Sequence, residues 1–347
     1  MNVVDHKCPN CTATLKFNPK SQKWECEYCR SIFELEDLEK NAKKYEKATS
    51  KPLQDLDIYT CQNCGAEIIA DTNTTSTFCV YCKSTAIIKN RLVGAFAPDK
   101  IIPFKTTKED AIEAFKNVGI RKILMPKEFS NKKNIAEMKG VYIPFWLFDF
   151  ECTGNISGKA TKVKSWSSGS YRYTQTDYYF VERGGTISFD NIPVDGSKNF
   201  DNAIMNSIEP FHYTGLKDFN YSYLSGFYAE KYDQNNDEVR SIGLERAKNT
   251  IRTTFEKDLT MYTTKTITKE DINIENESVC YCLLPVWLLN IEYKDKIHTF
   301  AMNGQTGKMI GNIPIDKKKT IIFAISLTLL ISLIIIGVMV LFGGYSL

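Results

Sequence analysis

The chain has 347 residues, of which 24% are charged and 43% hydrophobic, with 44 basic side chains against 41 acidic ones and a formal charge of +3. That length holds two or three domains, and so small a net charge excludes a protein held to nucleic acid by bulk electrostatics. Eleven cysteines beside only three histidines direct attention to thiolate chemistry.

Eight of the cysteines form two matched sets. Cys8 and Cys11 are followed by Cys26 and Cys29; Cys61 and Cys64 are followed by Cys79 and Cys82. In both sets fourteen residues separate the two C-x2-C pairs, and the second set lies fifty-three residues after the first. A C-x2-C turn places two thiolates on one knuckle, and a hairpin brings a second knuckle opposite. Four sulfurs then surround one ion with no open position, the structural rather than the catalytic arrangement. Two structural Zn2+ sites are expected, with iron the rival for a four-sulfur site. Segments of about 25 residues bury too little to fold alone, so the metal is expected to supply roughly 10–16 kcal/mol of folding energy. The N-terminus, Met1 to His6, carries no secretory signal, which argues against disulfides, and a lone redox pair would not come as two matched sets.

Taken in order, residues 1–33 form the first ribbon, with Lys16, Lys20, Lys23, Arg30 and Trp24. Trp24 and Phe17 either pack beside the metal or, with the lysines, contact phosphates and bases; packing is the reading preferred. Residues 34–58 read as a charged helical linker, acidic at Glu34, Glu36, Asp37 and Glu39 and basic at Lys40, Lys43, Lys44 and Lys47, the order the helix dipole favours. It is a solvated spacer or a partner-binding helix. The second ribbon, 59–90, is nearly neutral.

Residues 91–316 read as an α+β domain. Thr107 with Asp110 forms a capping box ahead of Ala111, Ile112, Ala114 and Phe115, and the helix is expected to stop at Gly119. A second helix is expected near 238–259, with Val239, Ile242, Ala247, Ile251 and Phe255 on one face. Strands are expected over 140–151, 171–182 and 280–293. Ile143-Pro144-Phe145-Trp146-Leu147 matches Leu284-Pro285-Val286-Trp287-Leu288 at an offset of 141, and Glu151 matches Glu292 at the same offset. This predicts an internal repeat of two related halves, about 95–200 and 201–315, with each Pro-Trp strand at an edge or bulge. The two tryptophans fill a shared core or line a ligand groove.

Residues 320–342 carry no charge, and sixteen of the twenty-three are Leu, Ile, Val or Phe. At 1.5 Å per residue they span about 34 Å, enough for one C-terminal transmembrane helix. Lys317, Lys318 and Lys319 precede it, so the positive-inside rule places residues 1–319 in the cytoplasm and a very short tail outside. The fold class expected is therefore multidomain: two small β zinc ribbons, an α+β domain and one membrane helix.

His6, His212 and His298 join no cysteine cluster, and Cys152, Cys280 and Cys282 read as small buried hydrophobes. Gly304-Gln305-Thr306-Gly307-Lys308-Met309 lacks the spacing and the hydroxyl of a phosphate loop and reads as a hairpin turn. No catalytic constellation is present, which predicts a protein that is not an enzyme.

The tandem ribbons, the Pro-Trp domain and the single C-terminal span together resemble the TFIIB-type zinc-ribbon membrane proteins of Gram-positive bacteria, members of which are sometimes labelled PriA-helicase-like. That label has no support from a helicase motif here. The resemblance implies a cell-membrane protein of membrane stress that recruits or scaffolds partners, phage-shock-protein-A-like or flotillin-like (SPFH-type). The expected function is a membrane-anchored cytoplasmic adaptor, with a membrane-tethered nucleic-acid-binding regulator as the alternative.

Overall fold

The structure, a computed structural model, describes residues 8–40, 57–70, 79–82, 87–91, 98–117, 124–198, 202–294, 296–311 and 314–343. Much of the expected linker helix, the stop at Gly119 and His6 lie outside the described residues. In chain order the elements are β1 (Leu15–Asn18), β2 (Lys23–Cys26), β3 (Ile32–Phe33), β4 (Asp57–Cys61), β5 (Glu67–Ala70), β6 (Ile87–Arg91), β7 (Lys100–Ile101) and α1 (Lys108–Lys116). They continue as α2 (Lys132–Ala136), β8 (Lys139–Ser168), β9 (Tyr171–Asp195), α3 (Asn202–Ile208), β10 (Lys217–Asp218), β11 (Tyr228–Glu230) and α4 (Asn236–Lys257). The last are β12 (Thr264–Tyr293), β13 (Lys296–Asn303), β14 (Met309–Gly311) and α5 (Lys317–Gly343).

The frame is β8 against β12. Each is 30 residues long, and they pair antiparallel from Lys139 opposite Leu288 to Thr161 opposite Thr264. The two Pro-Trp segments meet here, with Ile143 facing Leu284 and Pro144 facing Leu283. Sequence reasoning puts each at an edge or bulge; instead both strands are central, in the order β10-β7-β12-β8-β11-β5. A change of neighbour makes the prolines tolerable. The outer side of β8 pairs in parallel with β11 as far as Tyr142 and antiparallel with β9 from Phe145. Pro144, which has no N–H to donate, occupies the junction. On β12 the outer neighbour is β7 as far as Leu283 and β13 from Val286, with Pro285 at the junction. The proline carbonyls are used: the Gly196 amide donates to Pro144 at 2.9 Å and the Gly304 amide to Pro285 at 2.8 Å.

The tryptophans reach across to the helices. α1 and α4 both begin with a capping box, Thr107 with Asp110 and Asn235 with Glu238. The Trp287 indole donates to the hydroxyl of Thr106 at 3.0 Å, and the Trp146 indole donates to the carbonyl of Gln234 at 2.8 Å. Both acceptors belong to the residue just before an N-cap. The amides of Lys105 and Thr106 donate to Gly304, and those of Asp233 and Gln234 donate to Gly196. Each Pro-Trp strand therefore holds the start of the helix that comes from the other half of the chain.

Outside the junction the strands run much further than the expected segments. β9, β8 and β12 form an arm whose inward side chains, Phe148, Phe150, Cys152, Ile156 and Ala160, are buried. α4 lies over this face with Val239, Gly243, Ala247, Ile251 and Phe255 buried, a four-residue repeat. Ile242, expected on that stripe, is 41% exposed. Gly243 takes the close approach, because a Cβ there would come within 3.1 Å of the Phe148 ring. Past Thr161 the third strand ends and β8 and β9 continue as a two-stranded hairpin. There Trp166 stacks on Tyr173, ring centroids 5.7 Å apart, beside the exposed Tyr171, while Tyr178 and Phe180 are exposed just before it, opposite Thr161 and Lys159.

The indoles make a testable contribution. Replacing Trp146 or Trp287 by Phe keeps the aromatic packing and removes one hydrogen bond to a pre-cap residue. Each change is expected to cost about 1–2 kcal/mol, read as a lowered thermal midpoint of the detergent-solubilised chain; an unchanged midpoint would show that the indoles do not anchor the helices.

Candidate metal centres

Each cysteine set folds into one cluster. In the first, Cys8 Sγ lies 3.4 Å from Cys29 Sγ and Cys11 Sγ lies 3.5 Å from Cys26 Sγ. In the second, the Cys61–Cys82 and Cys64–Cys79 separations are 3.5 and 3.8 Å. Within each cluster all four sulfurs fall within 4.8 Å of one another. A tetrahedral ion with metal–sulfur bonds of about 2.3 Å requires sulfur edges of about 3.8 Å, so the spacing suits a metal ion and is far too long for disulfides.

The knuckles are built alike. The residue after the second cysteine is left-handed in each of three: Thr12 at φ 61°, Arg30 at φ 60° and Gly65 at φ 77°. This turn sends an amide back to the first cysteine, as Thr12 to Cys8, Arg30 to Cys26 and Gly65 to Cys61. Only Gly65 adopts it without a Cβ penalty. Thiol chemistry also calls for a cation. Hydrogen bonds from Ser31 lower Cys29 to about 6. Cys11, although the Ala13 amide pulls it down, is pushed up to about 12 by burial and by neighbouring thiols. Burial chiefly raises Cys79 to about 11. Cys29 thus offers a ready thiolate, while Cys11 and Cys79 hold their protons until a metal displaces them.

Both clusters are fastened to the domain rather than hung from it. In the first, Phe17, Trp24 and Tyr223 form a triangle of rings with centroids 5.1–5.4 Å apart. The Trp24 indole donates to Ser222 at 2.8 Å and the Phe17 amide donates to Ser225 at 3.2 Å. Trp24 is buried, as the packing reading requires. The expectation that the metal alone folds these segments is therefore corrected: tertiary packing on the 219–225 segment adds to it. One turn at 35–40 tucks Leu38 into the same core. In the second ribbon, β5 pairs with β11 and joins the main sheet.

Asn290 is a positioning residue that the cysteine pattern does not reveal. Its Nδ2 donates to the carbonyls of Val80 and Tyr81, both at 2.7 Å. Those are the two residues between Cys79 and Cys82. A lone amide in the apolar run Trp287 to Ile291 was the available signal.

The remaining candidates belong to packing. Cys152 and Cys282 are buried, and Cys280 is half-buried. The His298 ring packs on Phe129 at 5.4 Å, and the His212 amide donates to Gln305 at 2.7 Å. Residues 303–309 form the turn between β13 and β14, where the Asn303 carboxamide accepts from the amides of Gln305 and Thr306. Trp146 packs on Tyr232 and Tyr281, and Trp287 on Phe104 and Phe227.

Two outcomes are expected at the clusters. Asn290→Leu frees the Val80 and Tyr81 carbonyls and should weaken metal binding at the second site by about 10-fold while sparing the first; equal loss at both sites would refute its local role. Because the thiols must give up protons, competition with a chromophoric chelator should show tighter binding at about pH 8 than at about pH 6.

No family model matches the chain, and no solved structure matches it. Among curated proteins it is similar to the "Uncharacterized protein YdjG" of Bacillus subtilis (strain 168), with 32% identity over 319 residues that cover 91% of this chain and 92% of that protein. Identity at that level along nearly the whole of both chains shows common descent, and the chain belongs to the family of Bacillus subtilis YdjG.

Proposed function

We propose that the protein is a non-enzymatic zinc-ribbon adaptor of the cell membrane, with residues 1–319 on the cytoplasmic side and α5 crossing the bilayer. The observation that carries this reading is the hairpin beyond Thr161. Trp166, Tyr171 and Tyr173 are exposed on one face of the β8–β9 ribbon and Tyr178 and Phe180 on the other, and exposed aromatic groups of this kind mark protein interfaces. The ribbons serve as braces, the first spending Phe17 and Trp24 on docking, and the arm carries the partner. α5 is long and apolar enough to cross a membrane, with none of its span buried against the rest of the chain. The four-sulfur donor sets suit zinc, with iron the competitor. The matched hydrogen bonds of Trp146 and Trp287 support two halves related by duplication. By resemblance, the partners are phage-shock-protein-A-like or SPFH-type proteins of membrane stress.

A second reading has its own support. The segment 159–180 also holds Lys159, Lys162, Lys164 and Arg172 against Asp177 alone, and basic groups beside stacked aromatics suit single-stranded nucleic acid. Crosslinking in the native membrane from a photoreactive residue at position 175 separates the readings. The adaptor predicts a discrete protein adduct that is lost in the Trp166→Ala/Tyr173→Ala variant and kept at moderate salt. Nucleic-acid adducts that fall steeply with salt, or no adduct, would overturn it.

A further inference from the structure

The start of α5 is tied to the sheet domain. Asp316 Oδ1 accepts from the amides of Lys318 and Lys319 at 2.9 and 3.3 Å. The Asp316 carbonyl accepts from the amide and the hydroxyl of Thr320, both at 2.9 Å. This capped turn is tied sideways as well. The Asp316 amide donates to Leu124 at 2.9 Å, and Lys319 Nζ donates to the Met125 carbonyl at 2.6 Å. Where α5 enters a bilayer at Thr320, Leu124 and Met125 stand at headgroup level beside it.

The stretch beyond Met125 is basic and firmly held. Lys127, Lys132 and Lys133 are exposed on the single turn 127–130 and on α2, and Lys317 and Lys318 are exposed at the helix base. Among the described residues of 124–133 the only acidic one is Glu128. The segment is pinned from beneath by Phe129, which packs edge-on against Tyr293 and Phe300 with centroids 5.7 and 5.9 Å away. Ile135 is buried too. The lysines thus stand on a fixed surface. Ile315, 56% exposed just ahead of the cap, adds an apolar group at the same level.

We propose that this end of the domain is a platform for anionic phospholipid. In it Lys127, Lys132 and Lys133 join Lys317 and Lys318 against the headgroup phosphates of the leaflet that α5 enters. The proposal rests on the membrane-anchored reading and goes beyond it: the domain lies on the surface in one orientation instead of swinging from its anchor. Two residues of chain place Lys127 within about 7 Å of Met125, inside the Debye length of about 8 Å. Each lysine held near an anionic surface shifts the balance roughly five-fold, or about 1 kcal/mol. Lysine stems also lie along apolar surface while the ammonium group reaches outward. Exposed ammonium groups spread over a surface suit a sheet of charge; a single phosphate needs convergent donors.

The test uses the full-length protein in nanodiscs of phosphatidylcholine alone and of phosphatidylcholine mixed with phosphatidylglycerol, with amide hydrogen exchange followed at 127–136. Exchange there should slow by roughly five-fold or more in the anionic discs, and Lys127→Gln/Lys132→Gln/Lys133→Gln should abolish the slowing. Amides of β8 and β12, which exchange equally in both discs, report that the variant is folded. Equal exchange at 127–136 in the two lipids, or slowing that survives in the triple variant, overturns the platform alone. A chain that enters neither disc overturns the anchored reading and the platform with it.

Discussion

The pairing of β8 with β12 is the constraint on which the rest of the molecule depends. It brings Ile143 opposite Leu284, places both Pro-Trp segments at the centre of the sheet, and opens one gap on each outer side where the neighbouring strand changes. Proline suits those gaps because it has no donor to leave unsatisfied. A one-residue slip would turn every inward side chain of the arm outward, and would also pull the indoles away from the helix starts they hold. Register, helix placement and the seating of β11 beside the second ribbon are therefore a single choice.

The metal clusters depend on that choice in different ways. The second ribbon continues the sheet through β5 and is clamped by Asn290, which lies on β12 itself. The first forms a separate three-stranded sheet held by side chains, chiefly the Trp24 indole against Ser222. One site is thus bound through backbone ladders and the other through a side-chain lock.

The ribbons were legible in the sequence because cysteine spacing is local information: two knuckles and one hairpin fall inside each set. The capping boxes at Thr107 with Asp110 and Asn235 with Glu238 are local too, each falling within four residues. The repeated Pro-Trp segment was visible, but its position was not, since edge and centre differ by neighbours many residues away. The arm was foreshortened because its outer half lacks apolar strength. Cys152, Gly154, Ile156, Gly158 and Ala160 alternate with polar residues, and of these only Ile156 is large and apolar. The docking of Trp24 joins residues 198 positions apart, and no periodicity reports that.

The rigid base of α5 has a mechanical meaning once the arm is considered with it. β8 reaches from Lys139, just after α2, to Ser168 at the hairpin, up to about 95 Å at 3.3 Å per residue. Since Asp316 and Lys319 bolt the helix to the domain, helix tilt and domain attitude become one coordinate. Membrane helices answer a change of bilayer thickness by tilting. In an anchored chain, a tilt of about 10° would carry the aromatic end of such a lever through roughly 15 Å. A protein built this way would convert bilayer thickness into the position of a remote hairpin.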